Sequence, residues 1–340
     1  MEYHFRNLVF EGGGVKGIAY VGALEVLESK GILQNINRVG GTSAGAINAL
    51  LLGLNYSPTE TKNILRKLNF KNFLDDSWGV LRDTDRLVNE FGWYKGDFFR
   101  QWIAKRIKKK TKNPNATFND VYQQKKSGGF RDMYFIGTNL STGFAEIFSY
   151  EHTPRMCIAD AVRISMSIPL FFAAKRGVRD DVYVDGGVLN NYPIKLFDRK
   201  KYAEYLRIPE YYEEHNRKLR KQRKNISPYI YNKETLGFRL DSAKEIAVFR
   251  DQAEPEHHKI DDFFSYTWRL LITILGSQDS NHLHSDDWQR TIYIDTLGAG
   301  TTDFDIGDPK KKALVESGKT NTRKYFEWYD DVKNKPVNRV

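Results

Sequence analysis

A serine bracketed by glycines, standing between a strand and a helix, constrains this chain more than any other stretch. Arg38-Val39-Gly40-Gly41-Thr42-Ser43-Ala44-Gly45 ends an apolar run and passes at once into the helix-forming Ala46-Ile47-Asn48-Ala49-Leu50-Leu51-Leu52. The local order is strand, sharp turn, helix, and in that setting G-x-S-x-G reads as a nucleophile elbow. Gly41 and Gly45 leave no side chain to block a turn tight enough to hold Ser43 at the strand's end, with a helix N-terminus aimed at it. Ser43 is therefore the candidate nucleophile. Taken alone, the five residues describe an ordinary Gly/Ser turn equally well, so the rest of the chain has to decide.

An earlier unit has the same shape. Asn7-Leu8-Val9-Phe10 reads as a short buried strand, Glu11-Gly12-Gly13-Gly14-Val15-Lys16-Gly17 as a loop, and Ala19, Tyr20, Val21, Ala23, Leu24, Val26 and Leu27 recur at helical spacing. Gly12, Gly14 and Gly17 satisfy G-x-G-x-x-G, which raises a dinucleotide site as a competitor. That reading needs a carboxylate about 20 positions on, at the end of the next strand. Here the next strand ends in Gly40-Gly41-Thr42-Ser43. If the two strands are parallel neighbours, both loops leave the same edge of the sheet, where open α/β folds bind ligands. The backbone N–H groups of Gly13, Gly14 and Val15 would then face the space beside Ser43 Oγ as an oxyanion hole. Lys16 adds positive potential there or simply faces solvent.

Further along, Ser57-Pro58-Thr59-Glu60 carries the marks of a capping box with proline at the first helical position, opening a helix to about Leu68. Residues from about 56 to 128 are aromatic, charged and helical, with Trp78, Trp93 and Trp102, and read as an insertion over the active face. Met133–Asn139 and Ala145–Ser149 resume the sheet, Ile158–Met166 forms a helix, and Val182-Tyr183-Val184-Asp185-Gly186-Gly187 is a short strand ending in a carboxylate and two glycines. An aspartate in that position is also a common turn residue. Thr235–Leu240 and Thr291–Thr296 read as further strands, and Lys310 onward as terminal helices with a frayed tail at Lys333-Asn334-Lys335-Pro336.

The formal charge of +10 is concentrated in Lys105–Lys110 and in Arg217–Lys224. Such runs meet nucleic acid, an anionic membrane surface or only water. Neither carries a zinc-finger spacing or an RNA-binding aromatic signature, so no nucleic-acid partner is expected. The basic end of the Arg199–Lys224 excursion is a candidate contact with anionic headgroups, bringing Ser43 to its substrate. The lone Cys157 excludes an internal disulfide framework and fits a reducing compartment. The N-terminus lacks the apolar core and cleavage site of a signal peptide. No apolar run reaches the roughly 18 residues of a membrane span. These features point to a cytoplasmic protein, possible at a membrane periphery, or to an effector delivered without a cleavable signal. His282-Leu283-His284 beside Asp286-Asp287, and Asp303-Phe304-Asp305, lack the spacing of a metal site, so neither metal nor cofactor is expected.

Three elements stand in order: Gly12-Gly13-Gly14-Val15-Lys16-Gly17, Gly41-Thr42-Ser43-Ala44-Gly45 and Asp185-Gly186-Gly187. Together they resemble the patatin-like phospholipase family, and Ser165-Met166-Ser167-Ile168-Pro169 is similar to the serine/proline segment that precedes the family's aspartate motif. The run from Phe148 to Phe172 looks most like the branch containing bacterial effector phospholipases. Gly187 stands where plant members commonly carry alanine, and Lys16 where arginine is commoner. The resemblance implies a three-layer α/β/α fold with a mostly parallel sheet and helical insertions. It implies a catalytic core over 1–200, continued rather than followed by a second domain over 201–340. It also implies a Ser43–Asp185 dyad acting on lipid acyl esters, with the 12–17 loop holding the oxyanion, no metal, and a phospholipid or other acyl lipid as partner; it says nothing of oligomeric state. Two other readings stand beside it. One is a lipid-surface or nucleotide-sensing module that keeps the fold without turnover. The other is a Ser–Asp–His esterase using His257, His258, His282 or His284.

Overall fold

The computed structural model describes residues 2–69, 91–177, 179–241, 286–301 and 303–340, with positions 72, 259–261, 266, 269–270 and 273–274 in addition. Eight strands form the central sheet: β1 (Asn7–Phe10), β2 (Arg38–Gly41), β3 (Asp132–Asn139), β4 (Phe144–Ser149), β5 (Lys175–Arg176), β6 (Val182–Asp185), β7 (Thr235–Asp241) and β8 (Thr291–Asp295). They lie in the order β8-β7-β1-β2-β3-β6-β5, and β4 pairs with β3 on its other side. The run from β8 to β3 is parallel, whereas β4, β6 and β5 each run against their neighbours. The principal helices are α1 (Tyr20–Ser29), α2 (Ala44–Gly53), α3 (Pro58–Arg66), α4 (Asp97–Thr111), α5 (Phe118–Gln123), α6 (Ile158–Ser165), α7 (Glu210–Lys221) and α8 (Asp308–Asp330).

Both faces of the sheet are covered, which is why its parallel strands read as continuous apolar runs. On β1, Leu8 and Phe10 enter the large core shared with α1, α2, α6 and α8. Val9 faces the other way, into a smaller cluster with Tyr134, Tyr192, Ile194, Phe197 and Tyr202. Among the described residues the short 3-10 turns Ile194–Phe197 and Lys200–Tyr202 belong to that second layer. The expected capping box forms at α3: Glu60 N–H donates to Ser57 Oγ and Ser57 N–H to Glu60 Oε2, both at 3.1 Å. Lys109 and Lys110, at the end of α4, pair with that same Glu60. Trp78 lies outside the described residues.

The C-terminus corrects the expectation of several helices and a frayed tail. One helix, α8, runs for 23 residues, and the chain after it docks. Asn338 is fully buried, its carbonyl accepts from Tyr329 Oη at 3.2 Å and lies 2.7 Å from His4 Nε2, and Val337 N–H donates to Gln289. His4 comes from the opposite end of the sequence and Gln289 from 48 positions upstream, so local composition around Pro336 carries little trace of the docking.

Candidate active site

The elbow forms because glycine occupies the positions where two backbones meet. Ser43 has φ 53° and ψ −125°, a conformation that costs a non-glycine residue about 1–3 kcal/mol and persists only where its surroundings over-determine it. A Cβ on Gly45 would overlap the Phe10 carbonyl oxygen and come within 2.6 Å of that of Glu11, so α2 starts directly against the end of β1. Gly45 N–H closes the turn onto Thr42 O at 2.8 Å. Thr42 Oγ1 donates to Asn190 O at 2.9 Å.

The topology brings Asp185 to the same place. β2 runs parallel to β3 and β6 runs antiparallel to it along the same side, Gly41 pairing with Phe135 and Asp185 with Gly137. The two strands therefore point at each other, and their C-terminal ends meet across Ile136. Asp185 N–H donates to Ser167 O at 2.8 Å, and Oδ1 accepts from Gly187 N–H at 2.7 Å. Oδ2 is buried and makes no hydrogen bond among the described residues. Desolvation lifts the Asp185 pKa from about 3.8 to about 7, against the Gly187 amide and the nearby Ser43 hydroxyl, which both pull it down. The Ser43 hydroxyl is close enough to exert that pull, yet its Oγ is directed at Met166 Sδ, 3.5 Å away. The contact with the carboxylate is thus one of proximity, with the hydrogen bond itself not yet made.

The glycine loop lies against the serine: a Cβ on Gly12 would sit 3.1 Å from Ser43 Cβ. Its amides are not equivalent. Gly12 N–H donates to Asn191 O, Val15 N–H to Thr301 O and Lys16 N–H to Gly13 O, so these three are spent within the chain. The N–H groups of Gly13 and Gly14 make no hydrogen bond among the described residues. The expected donor set of Gly13, Gly14 and Val15 thus narrows to two. The Gly17 carbonyl accepts from Asn48 Nδ2 at 3.2 Å and ties the loop to α2. Lys16 is half-buried and forms no ion pair among the described residues.

Residues 8–198 match the family model described as patatin-like phospholipase. The chain belongs to the patatin-like phospholipase family. It is 30% identical over 332 residues to the uncharacterized protein YqhO of Bacillus subtilis (strain 168), covering 94% of this chain and 97% of that one. It is 28% identical over 193 residues to the probable lipid hydrolase 463L of Invertebrate iridescent virus 6, covering 57% and 63%. Among solved structures, VipD from Legionella pneumophila superposes with a TM-score of 0.58 at 16% identity, over 95% of this chain and 67% of that one, a likeness of fold.

Within this patatin-like frame, several residues at the site had no role in the sequence reading. Ser165 Oγ accepts the Ser43 N–H at 3.0 Å, Met166 Sδ touches Ser43 Oγ, and Ser167 O holds the Asp185 N–H. These stand in the serine/proline segment, which the motif marked without saying what it does. Asn190 and Asn191 fasten Thr42 and Gly12 to the turn after Asp185, and the only signal is their place behind Gly186-Gly187. Of the histidines proposed for a triad, His257, His258, His282 and His284 lie outside the described residues. His152 is bound to Ser149 Oγ at 2.7 Å, beyond the end of β4 and level with the beginning of β3.

The basic excursion stands at the other end of this patatin-like sheet. Asn216 on α7 accepts from Ser227 N–H at 2.7 Å, and Tyr212 stacks on Tyr229. From there the chain passes through Tyr231-Asn232 into Thr235, the first residue of β7, which pairs with Asn7, the first residue of β1. Ser43 follows the last residue of β2. A surface docked on α7 would meet the edge where the parallel strands begin, away from the serine. Among the described residues no helix is long and apolar enough to cross a membrane.

Proposed function

We propose that this patatin-family chain is a serine lipid acyl hydrolase of phospholipase A type, working through Ser43 and Asp185. The observation that carries the reading is the buried Asp185 Oδ2, which makes no hydrogen bond among the described residues, at the strand end that meets the Ser43 elbow. A buried polar atom without a partner is costly, and a native site retains one where a proton has to be received. On attack, Ser43 Oγ turns from Met166 to the ester carbonyl carbon and its proton passes to Oδ2. The oxyanion is received by the amides of Gly13 and Gly14, which make no hydrogen bond among the described residues, each such donor contributing about 3–4 kcal/mol. Collapse breaks the ester C–O bond, and the leaving glycerol oxygen takes the proton back from Asp185. Water, giving its proton to the same carboxylate, then attacks the acyl carbon; the acyl C–Oγ bond breaks, the fatty acid leaves, and the proton passes from Asp185 back to Ser43 Oγ. An aspartate at its ordinary pKa is a poor base for this work, and burial raises it toward the pH at which it operates.

Hydrolysis of a soluble p-nitrophenyl ester by wild type, Ser43→Ala and Asp185→Asn tests the reading. Wild type alone is expected to turn over; equal rates in all three would remove it. The Asp185 pKa sets the pH profile. The base must be ionised, so kcat/KM falls about tenfold per pH unit below roughly 7 and levels off above it. A flat profile from pH 5 to 8 would contradict this assignment of the base.

The same reading takes the lipid surface as peripheral, met by the sheet edge that carries Ser43 rather than by α7. Reversing the charges of Arg217, Lys218, Arg220 and Lys221 is expected to leave hydrolysis of phosphatidylglycerol vesicles within threefold of wild type. A loss of tenfold or more, with soluble-ester hydrolysis unchanged, would restore the basic helix as the docking element.

A further inference from the structure

The segment leaving α6 touches both proposed catalytic groups within three residues. Ser165 Oγ accepts the Ser43 N–H at 3.0 Å, Met166 Sδ lies 3.5 Å from Ser43 Oγ, and Ser167 O accepts the Asp185 N–H at 2.8 Å. Ser165 is completely buried, as is Ser167. Behind them Arg163, itself buried, clamps the segment in place. Its Nε donates to Gly96 O at 3.1 Å, Nη2 to Lys95 O and Ala173 O, and Nη1 to Ser167 Oγ, which in turn donates to Arg163 O at 2.8 Å.

Ser43 is the one residue of the elbow with a backbone in the sparsely populated region, and its N–H has a side-chain oxygen as acceptor. Thr42, Gly45 and Ala46 are held by backbone carbonyls. A strained turn keeps its shape only while its polar groups are satisfied in that shape, because an N–H left unpaired in a buried site drives the peptide to another conformation. We propose that Ser165 is a positioning residue for hydrolysis. Its hydroxyl oxygen fixes the Ser43 peptide so that Oγ can swing from Met166 to the carboxylate. The neighbouring Ser167 carbonyl fixes the backbone of that carboxylate, so the spacing of the pair is set by one rigid tripeptide. The inference rests on the Ser43–Asp185 hydrolase reading and assigns a role that the reading itself does not need.

The test measures turnover of a soluble p-nitrophenyl ester by wild type, Ser165→Ala, Ser165→Thr and Ser43→Ala, with active sites counted by fluorophosphonate titration and thermal unfolding followed in parallel. Ser165→Ala is expected to lose kcat per active site by about 10- to 100-fold with KM within twofold of wild type, since misplacement of a reacting atom lowers the rate without removing substrate contacts. Ser165→Thr keeps the oxygen and is expected to recover kcat to within about threefold. A residue that only supports the fold would lower the unfolding temperature and the number of active sites while leaving kcat per site intact. That result, or a folded threonine variant as slow as the alanine one, overturns the proposal. Activity in Ser43→Ala equal to wild type would overturn the hydrolase reading instead, so the two failures are distinct.

Discussion

Asp185→Asn is expected to unfold at a higher denaturant concentration than wild type at pH 8 while hydrolysing esters about 10³-fold more slowly. The two effects have one cause. Burial raises the carboxyl from about 3.8 to about 7, so between these values the folded chain holds a proton that the unfolded chain has released. Wild-type stability therefore falls as pH rises through that window. At about 1.4 kcal/mol per pKa unit, the ionised group costs on the order of 4 kcal/mol at pH 8. Asparagine keeps the oxygen that accepts from Gly187 and carries no charge, so it removes this cost together with the base. The stabilisation should be near its full size at pH 8, smaller at pH 6 and absent below about pH 4. Urea unfolding across that range measures it. An asparagine variant less stable than wild type at pH 8 would mean that the carboxylate is held by a favourable partner in the resting protein.

Gly45→Ala carries the second large effect. The added methyl would meet the carbonyl oxygens of Phe10 and Glu11, which are backbone atoms at the end of β1. They move only if β1 or α2 moves. A loss of at least about 3 kcal/mol is expected, seen as a drop of roughly 4 °C or more in Tm. The protein that remains folded should lose about 10²-fold in kcat, because α2 carries Ser43 and a shift near 1 Å is enough. Gly307→Ala is the control: φ is −76° and the nearest atom to the added methyl is Pro309 Cδ at 3.7 Å, so neither stability nor rate should change appreciably. A Gly45→Ala protein with Tm within 2 °C of wild type would show that the elbow tolerates what its packing forbids.

Much of this was legible before any coordinates, and for a physical reason. The elbow, the glycine loop and the Asp-Gly-Gly turn each need residues without side chains at fixed offsets, and such needs leave marks in sequence. β1, β2, β3, β6, β7 and β8 begin and end within a residue or two of the expected positions because their apolar runs are bounded by glycine, asparagine or aspartate. What stayed hidden depends on distant partners. Val15 was expected to serve the oxyanion, yet its N–H is taken by Thr301, 286 positions away. Ser165 is an ordinary helix residue until the strand carrying Ser43 lies beside it. The tail after Pro336 looked unanchored because its partners, His4 and Gln289, are remote in sequence. The Arg217–Lys224 run announced its charge, but charge alone does not say at which end of a sheet a helix stands.

Covalent trapping reaches the central claim most directly. Wild type incubated at pH 8 with a long-chain alkyl fluorophosphonate, digested and analysed by mass spectrometry, is expected to carry one adduct, on the peptide containing Ser43. Labelling should fall about tenfold per pH unit below roughly 7 and vanish in Ser43→Ala. An adduct on another residue, or equal labelling of the Ser43→Ala protein, would contradict the account.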